Sequence, residues 1–176
     1  RFGKTLNMSM LQYFFEDARN EDGTKQDNRA LFEGTKIMRA GEAYLSHMGQ
    51  YPVISISLKS AKQPDFDMAY HMIVRQIVEE YERHAFLLQK PGMEEMKERY
   101  MEIMQEKADR NTMNDSLRFL SRCLEKYYGK KVIIFIDEYD VPLESAFFAG
   151  YYDQMVSFVR SLFESCLKTN ASLEFA

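Results

Sequence analysis

Val132-Ile133-Ile134-Phe135-Ile136, followed at once by Asp137-Glu138, is the stretch that decides the fold. A half-exposed strand alternates apolar and polar residues. Five apolar residues in a row, four of them β-branched, read instead as a strand buried on both faces, as in a parallel sheet covered by helices. Working upstream, Leu117, Leu120, Leu124 and Tyr128 recur at helical spacing. They predict a helix with Asn114 as its cap and Gly129 as its stop. Met93, Met96, Tyr100 and Ile103 mark another helix, with a charge-rich outer face. Pro64-Asp65 opens a longer one: Asp65 is a fair N-cap, Phe66, Ala69, Ile73, Ile77, Tyr81 and Leu88 follow at helical spacing, and Pro91-Gly92 breaks it. From Val53 to Leu58, Ile54, Ile56 and Leu58 alternate with Ser55 and Ser57, predicting a strand with an apolar face. Downstream of Pro142, a helix from about Tyr151 to Leu167 would bury Tyr152, Met155, Val159, Leu162 and Cys166. A third strand would begin at Leu173. This alternation predicts an α/β fold with a mostly parallel sheet flanked by helices.

The N-terminal part reads as a helix from Thr5 to Phe15, with Met8, Leu11 and Phe15 on one stripe and Leu6, Met10 and Phe14 widening it, so that most of its circumference is expected to be buried. Residues 20–28 read as a polar loop and 30–48 as one or two short helices. Directly before the first helix stands Gly3-Lys4-Thr5. A phosphate-binding loop needs glycine for close backbone approach, a lysine for the β- and γ-phosphate oxygens, and a Ser or Thr hydroxyl for Mg²⁺. The helix N-terminus behind it adds free N–H groups and the positive end of a dipole. Asp137-Glu138 supplies the complementary part. A carboxylate at the carboxyl end of a neighbouring strand can hold Mg²⁺, and an adjacent glutamate can act on the attacking water. Each element alone is common. Their order, one at a helix start and one at a strand end, is what the chemistry requires.

Composition narrows the remaining classes. The chain has 176 residues, 45% hydrophobic and 28% charged, enough for one ordinary globular domain and not for a disordered tract. Lys plus Arg is 23 and Asp plus Glu is 27, a net charge of −4, which argues against a surface given over wholly to nucleic acid. No apolar run reaches the roughly 20 residues of a membrane span, and the N-terminus does not read as a signal peptide. Two cysteines, Cys123 and Cys166, lie on apolar helix stripes, where they read as core in a reducing, cytoplasmic setting. His47, His71 and His84 lack metal-ligand spacing. The Tyr pairs at 127–128 and 151–152 read as packing.

The segments Arg1-Phe2-Gly3-Lys4-Thr5-Leu6-Asn7 and Ile136-Asp137-Glu138-Tyr139-Asp140 resemble the AAA-ATPase-like family of prokaryotic P-loop proteins. Leu31-Phe32-Glu33-Gly34, Tyr51-Pro52-Val53-Ile54, Gly150-Tyr151-Tyr152 and Leu167-Lys168-Thr169-Asn170 carry the resemblance across the whole chain. It implies a P-loop NTPase fold in which Gly3, Lys4 and Thr5 bind the nucleotide phosphates. Thr5 and Asp137 would hold Mg²⁺, Lys4 would stabilise charge during catalysis, and Glu138 would be the catalytic base. Members of the family often continue into a region resembling PD-(D/E)xK nucleases, which would bring a nucleic-acid partner.

The expected function is Mg²⁺-dependent ATP binding and hydrolysis in a single domain over 1–176, with the helical stretch 65–128 forming a cap or partner surface. An oligomer is compatible with the sequence. The residues upstream of Gly3 that complete such a loop, and the strand that feeds it, are expected to be missing. The chain reads as truncated at both ends, and the 176 residues alone are expected to bind nucleotide weakly and to be inactive. Two other classes stay open: a nucleotide-dependent switch or scaffold that scarcely hydrolyses, and a nucleic-acid-binding accessory domain.

Overall fold

The computed structural model describes residues 3–176; the Arg1-Phe2 part of the phosphate-loop reading lies outside them. Three strands form one parallel sheet in the order β1-β2-β3: β1 Val53–Ser57, β2 Val132–Asp137 and β3 Leu173–Phe175. The α-helices are α1 Lys4–Phe15, α2 Glu42–Leu45, α3 Phe66–Arg83, α4 Glu94–Met104, α5 Arg110–Asn114, α6 Ser116–Tyr128, α7 Val141–Ala149 and α8 Tyr152–Phe163, with short 3₁₀ and π turns between them. This is the α/β architecture that the apolar run of β2 required.

Both faces of β2 are covered, as its sequence demands. Strand geometry sends Val132 and Ile134 to one side and Ile133 and Phe135 to the other. The first pair joins Ile54 and Ile56 in the main core, under Ile73, Ile77 and Tyr81 of α3, Leu117, Leu120 and Leu124 of α6, and Met155 and Leu162 of α8. The second pair meets Val53 in a smaller cluster, covered by Met8 and Phe15 of α1 and by Tyr51. Each such aliphatic side chain taken fully out of water contributes about 1.5–3 kcal/mol. Within the 65–128 stretch, α3 and α6 lie in the main core. Helix α4 packs on those two helices, and the short α5 sits between α6 and α8.

Four sequence expectations need correction. Helix α1 is not buried around most of its circumference. Among its residues only Phe14 is buried, and Leu6 is 65% exposed, because the sheet beneath offers only one narrow apolar face. Helix α3 stops at Arg83 rather than running to Leu88; Ala85–Gln89 form a separate 3₁₀ turn. Asn114 does not cap α6. It closes α5, which Asp109 caps by accepting the Thr112 amide at 2.7 Å, and Asp115 occupies the N-cap of α6. The stretch around Pro142 holds a helix of its own, α7, whose first turn accepts proline because the amides there need no intrahelical partner. Consequently Tyr151, at the N-cap of α8, is the buried tyrosine, donating to the Gln63 carbonyl at 2.7 Å, while Tyr152 is 43% exposed. The Asp65 cap does form, accepting the Met68 amide at 2.9 Å, and Gly129 ends α6 in the left-handed conformation.

Among the described residues, the outer edge of β1 is closed by side chains rather than by another strand. Glu80, Arg83 and His84 sit at i, i+3 and i+4 on α3. Glu80 accepts the Ser55 amide at 2.8 Å, and the Val53 carbonyl accepts from Arg83 at 2.7 Å and from His84 Nε2 at 3.0 Å. Arg83 also pairs with Glu80 and with the buried Glu16 that follows α1. One guanidinium thereby ties α1, α3 and the sheet edge together, satisfying backbone groups that an edge strand would otherwise present for pairing.

Candidate functional site

The alternation that buries Ile133 and Phe135 against α1 also decides where Asp137 points. It lies two residues further along the same face, at the carboxyl end of β2 and under the first turn of α1. Gly3 begins that turn with φ of 102°, a conformation glycine adopts without a side-chain penalty, and its carbonyl accepts the Asn7 amide at 2.8 Å. Among the described residues, no acidic residue stands in the first turn of α1 and no side chain caps it. The amide end of this helix therefore keeps its positive polarity.

Thr5 projects from this turn onto Asp137. Its hydroxyl donates to Asp137 Oδ2 at 2.8 Å, joining residues 132 positions apart in sequence. The other carboxylate oxygen, Oδ1, accepts the Glu138 amide at 2.9 Å. Ser57 on β1 lies opposite Asp137 in the sheet register, and Leu58 donates its amide to the Asp137 carbonyl at 3.0 Å. Glu138 is half-buried and has φ of 55°. Lys4 is exposed at the start of α1, one residue from the Thr5–Asp137 contact. All the sequence-expected site residues thus come to one end of the sheet: Gly3, Lys4 and Thr5 from the helix start, Asp137 and Glu138 from the strand end.

A sequence model of the family described as Predicted AAA-ATPase matches residues 1–176. The chain belongs to the AAA-ATPase-like family. No curated protein and no solved structure matches it. The family's description suggests nucleotide binding, and Thr5 at the helix start lies in hydrogen-bond contact with Asp137 at the strand end.

The donor set suits a small hard cation. A hydroxyl and a carboxylate offer oxygen ligands only, and Mg²⁺ commonly takes few ligands from protein, completing its shell with phosphate oxygens and water. The Thr5 proton is committed to Asp137, so the lone pairs of Oγ1 are turned away from the carboxylate. Two cavities elsewhere have other linings. One of about 1050 Å³ runs from Arg19 to Gln89, and one of about 810 Å³ lies between α4 and α6. The Thr5–Asp137 pair sits instead at the open end of the sheet, where ligands bind in parallel α/β folds.

Two groups outside this site behave as core. Burial pushes the Cys123 and Cys166 thiols up to about 12, so neither is a thiolate near neutrality. His84, one of three histidines without metal-ligand spacing, is buried beside Glu80 and donates to the Val53 carbonyl. Sequence reasoning missed that cluster. The i, i+3, i+4 spacing of Glu80, Arg83 and His84 was its only signal, and a solvated helix face shows the same spacing.

Proposed function

We propose that this domain binds Mg²⁺-ATP at the Gly3–Thr5 turn and, in the full-length protein, hydrolyses it at the β–γ bond. The observation that carries this reading is the Thr5–Asp137 hydrogen bond, which sets a hydroxyl lone pair and a carboxylate side by side at the N-terminus of α1. Gly3 lets backbone amides approach the phosphates, and Lys4 reaches their β and γ oxygens as a point charge. Thr5 and Asp137 would hold the cation through their hydroxyl and carboxylate oxygens. When bound, Mg²⁺ would supply charge neutralisation at the phosphate oxygens. Glu138, next along the chain at the same strand end, takes the proton of the attacking water.

Steady-state phosphate release by the full-length protein tests this. Glu138→Gln should lower turnover by about 10²-fold or more while leaving nucleotide binding in place. Lys4→Ala should weaken binding itself. Turnover that ignores Glu138→Gln would remove the general-base assignment.

A further inference from the structure

At the opposite end of the sheet from Asp137, the Val132 amide that opens β2 donates to the Ser172 carbonyl at 2.8 Å. The strand between Val132 and Asp137 spans about 16 Å. Beside its start lies a cavity of about 520 Å³, between α6 and the 169–172 turn that leads into β3. One wall carries Arg118, Arg122 and Lys126, at i, i+4 and i+8 on α6, so successive cations stand about 6 Å apart along one face. Arg118 is committed: it pairs with Asp115 at 2.6 Å and donates to Thr169 Oγ1 at 3.3 Å, tying the helix to the turn. Arg122 and Lys126 are exposed, and among the described residues neither has a hydrogen-bond or ion-pair partner. Glu125 is the one carboxylate among the described residues of the lining.

Cations in the second half of a helix also answer its dipole, and a solvated face would need nothing more. The facing turn adds a second set of donors. Asn170 is buried and holds the turn in place: its side-chain amide donates to Ser121 Oγ and to the Cys166 carbonyl, each at 3.0 Å, and its Oδ1 accepts the Ser172 amide at 3.1 Å. The backbone amides of Asn170 and Ala171 donate to no acceptor among the described residues. Ser172 is only 3% exposed and its hydroxyl makes no hydrogen bond there either. That hydroxyl is nevertheless not one of the polar atoms sealed from solvent without a partner, so it is reachable where Ser172 lines the cavity.

We propose that this cavity binds a phosphate group of a small phosphorylated molecule, Arg122 and Lys126 supplying charge and the 170–172 turn supplying neutral donors. A phosphate has oxygens enough to accept from both walls at once, whereas a carboxylate has two. A concave site of this size suits a small molecule, and a net charge of −4 argues against a broad basic surface for nucleic acid. The site shares no residue with the Thr5–Asp137 pair and does not depend on the nucleotide reading.

Calorimetric titration of inorganic pyrophosphate into the full-length protein tests this, in a Lys4→Ala background so that the phosphate-loop turn contributes least. Pyrophosphate should bind there. Adding Arg122→Ala together with Lys126→Ala should weaken it about tenfold or more, the scale of one charge-assisted hydrogen bond. Arg122→Lys with Lys126→Arg keeps both charges and should stay within a few-fold. Ser172→Ala should cost a few-fold in affinity with no loss of melting temperature, because the hydroxyl has no protein partner to lose. No pyrophosphate binding in the Lys4→Ala background would overturn the inference, as would unchanged affinity in the alanine pair or in Ser172→Ala. A short single-stranded oligonucleotide that binds through Arg122 and Lys126 where pyrophosphate does not would overturn it too. If Lys4→Ala leaves ATP affinity untouched, the proposed function fails, while the pyrophosphate comparison still decides this site.

Discussion

At the scale of single residues, the polarity of one hydrogen bond governs the site. Thr5 is the donor and Asp137 the acceptor, which leaves the threonine lone pairs uncommitted. Serine preserves that polarity and valine abolishes it while keeping the shape. Thr5→Ser should therefore leave Mg²⁺-dependent nucleotide affinity within a few-fold of wild type, and Thr5→Val should weaken it about 10-fold or more, read by titration of a fluorescent ATP analogue. Because Thr5 is exposed, the melting temperature should shift little in either variant. The placement of Lys4 and Thr5 at a helix start and of Asp137 and Glu138 at a strand end was legible in the sequence, from the apolar run of β2 and the glycine before α1. The left-handed backbone of Glu138 was not, because glutamate has no sequence preference for it.

At the scale of elements, caps and edges decide what the pattern leaves open. The end of β2, the start of α3 and the stop of α6 at Gly129 follow from apolar runs and polar punctuation. The stop of α3 at Arg83 does not, because it is set by long-range contacts of Glu80, Arg83 and His84 with β1. Asp65→Ala should cost about 1 kcal/mol in denaturant unfolding, the loss of one side-chain cap. Arg83→Met should cost about 2–4 kcal/mol, since it leaves the buried Glu16 and Glu80 carboxylates without their cation. The same pairing makes stability pH-dependent. Burial alone would raise the Glu80 carboxyl, but the Arg83 charge and the hydrogen bonds from His84 and Arg83 outweigh it and hold the group at about 2, below its ordinary 4.5. Its contribution is complete above 4.5 and is lost as the pH falls from there toward 2. Acid unfolding should accordingly steepen in that window, and in Glu80→Gln the slope should flatten.

At the scale of the whole molecule, the sheet works as a two-sided ruler. One face of β2 builds the main core with α3, α6 and α8, and the other faces α1. Placing Ile133, Phe135 and Asp137 on one face makes fold and site a single consequence of strand periodicity, which is why both could be read from residues 132–138. The same logic was misleading for α1. Its apolar residues suggested burial all round, yet the sheet face beneath accepts only Met8 and Phe15, and Leu6, Met10, Leu11 and Tyr13 remain exposed. Sequence pattern reports how apolar a helix is, and only the area opposite it determines how much is covered. The central claim is that Thr5 and Asp137 form the cation seat of a nucleotide site. The most direct measurement is the affinity of the full-length protein for a non-hydrolysable ATP analogue with and without Mg²⁺, in wild type and in Asp137→Asn. The account predicts that Mg²⁺ tightens binding in wild type and that Asp137→Asn loses most of this response, about tenfold or more. An Asp137→Asn protein that responds to Mg²⁺ as the wild type does would contradict it.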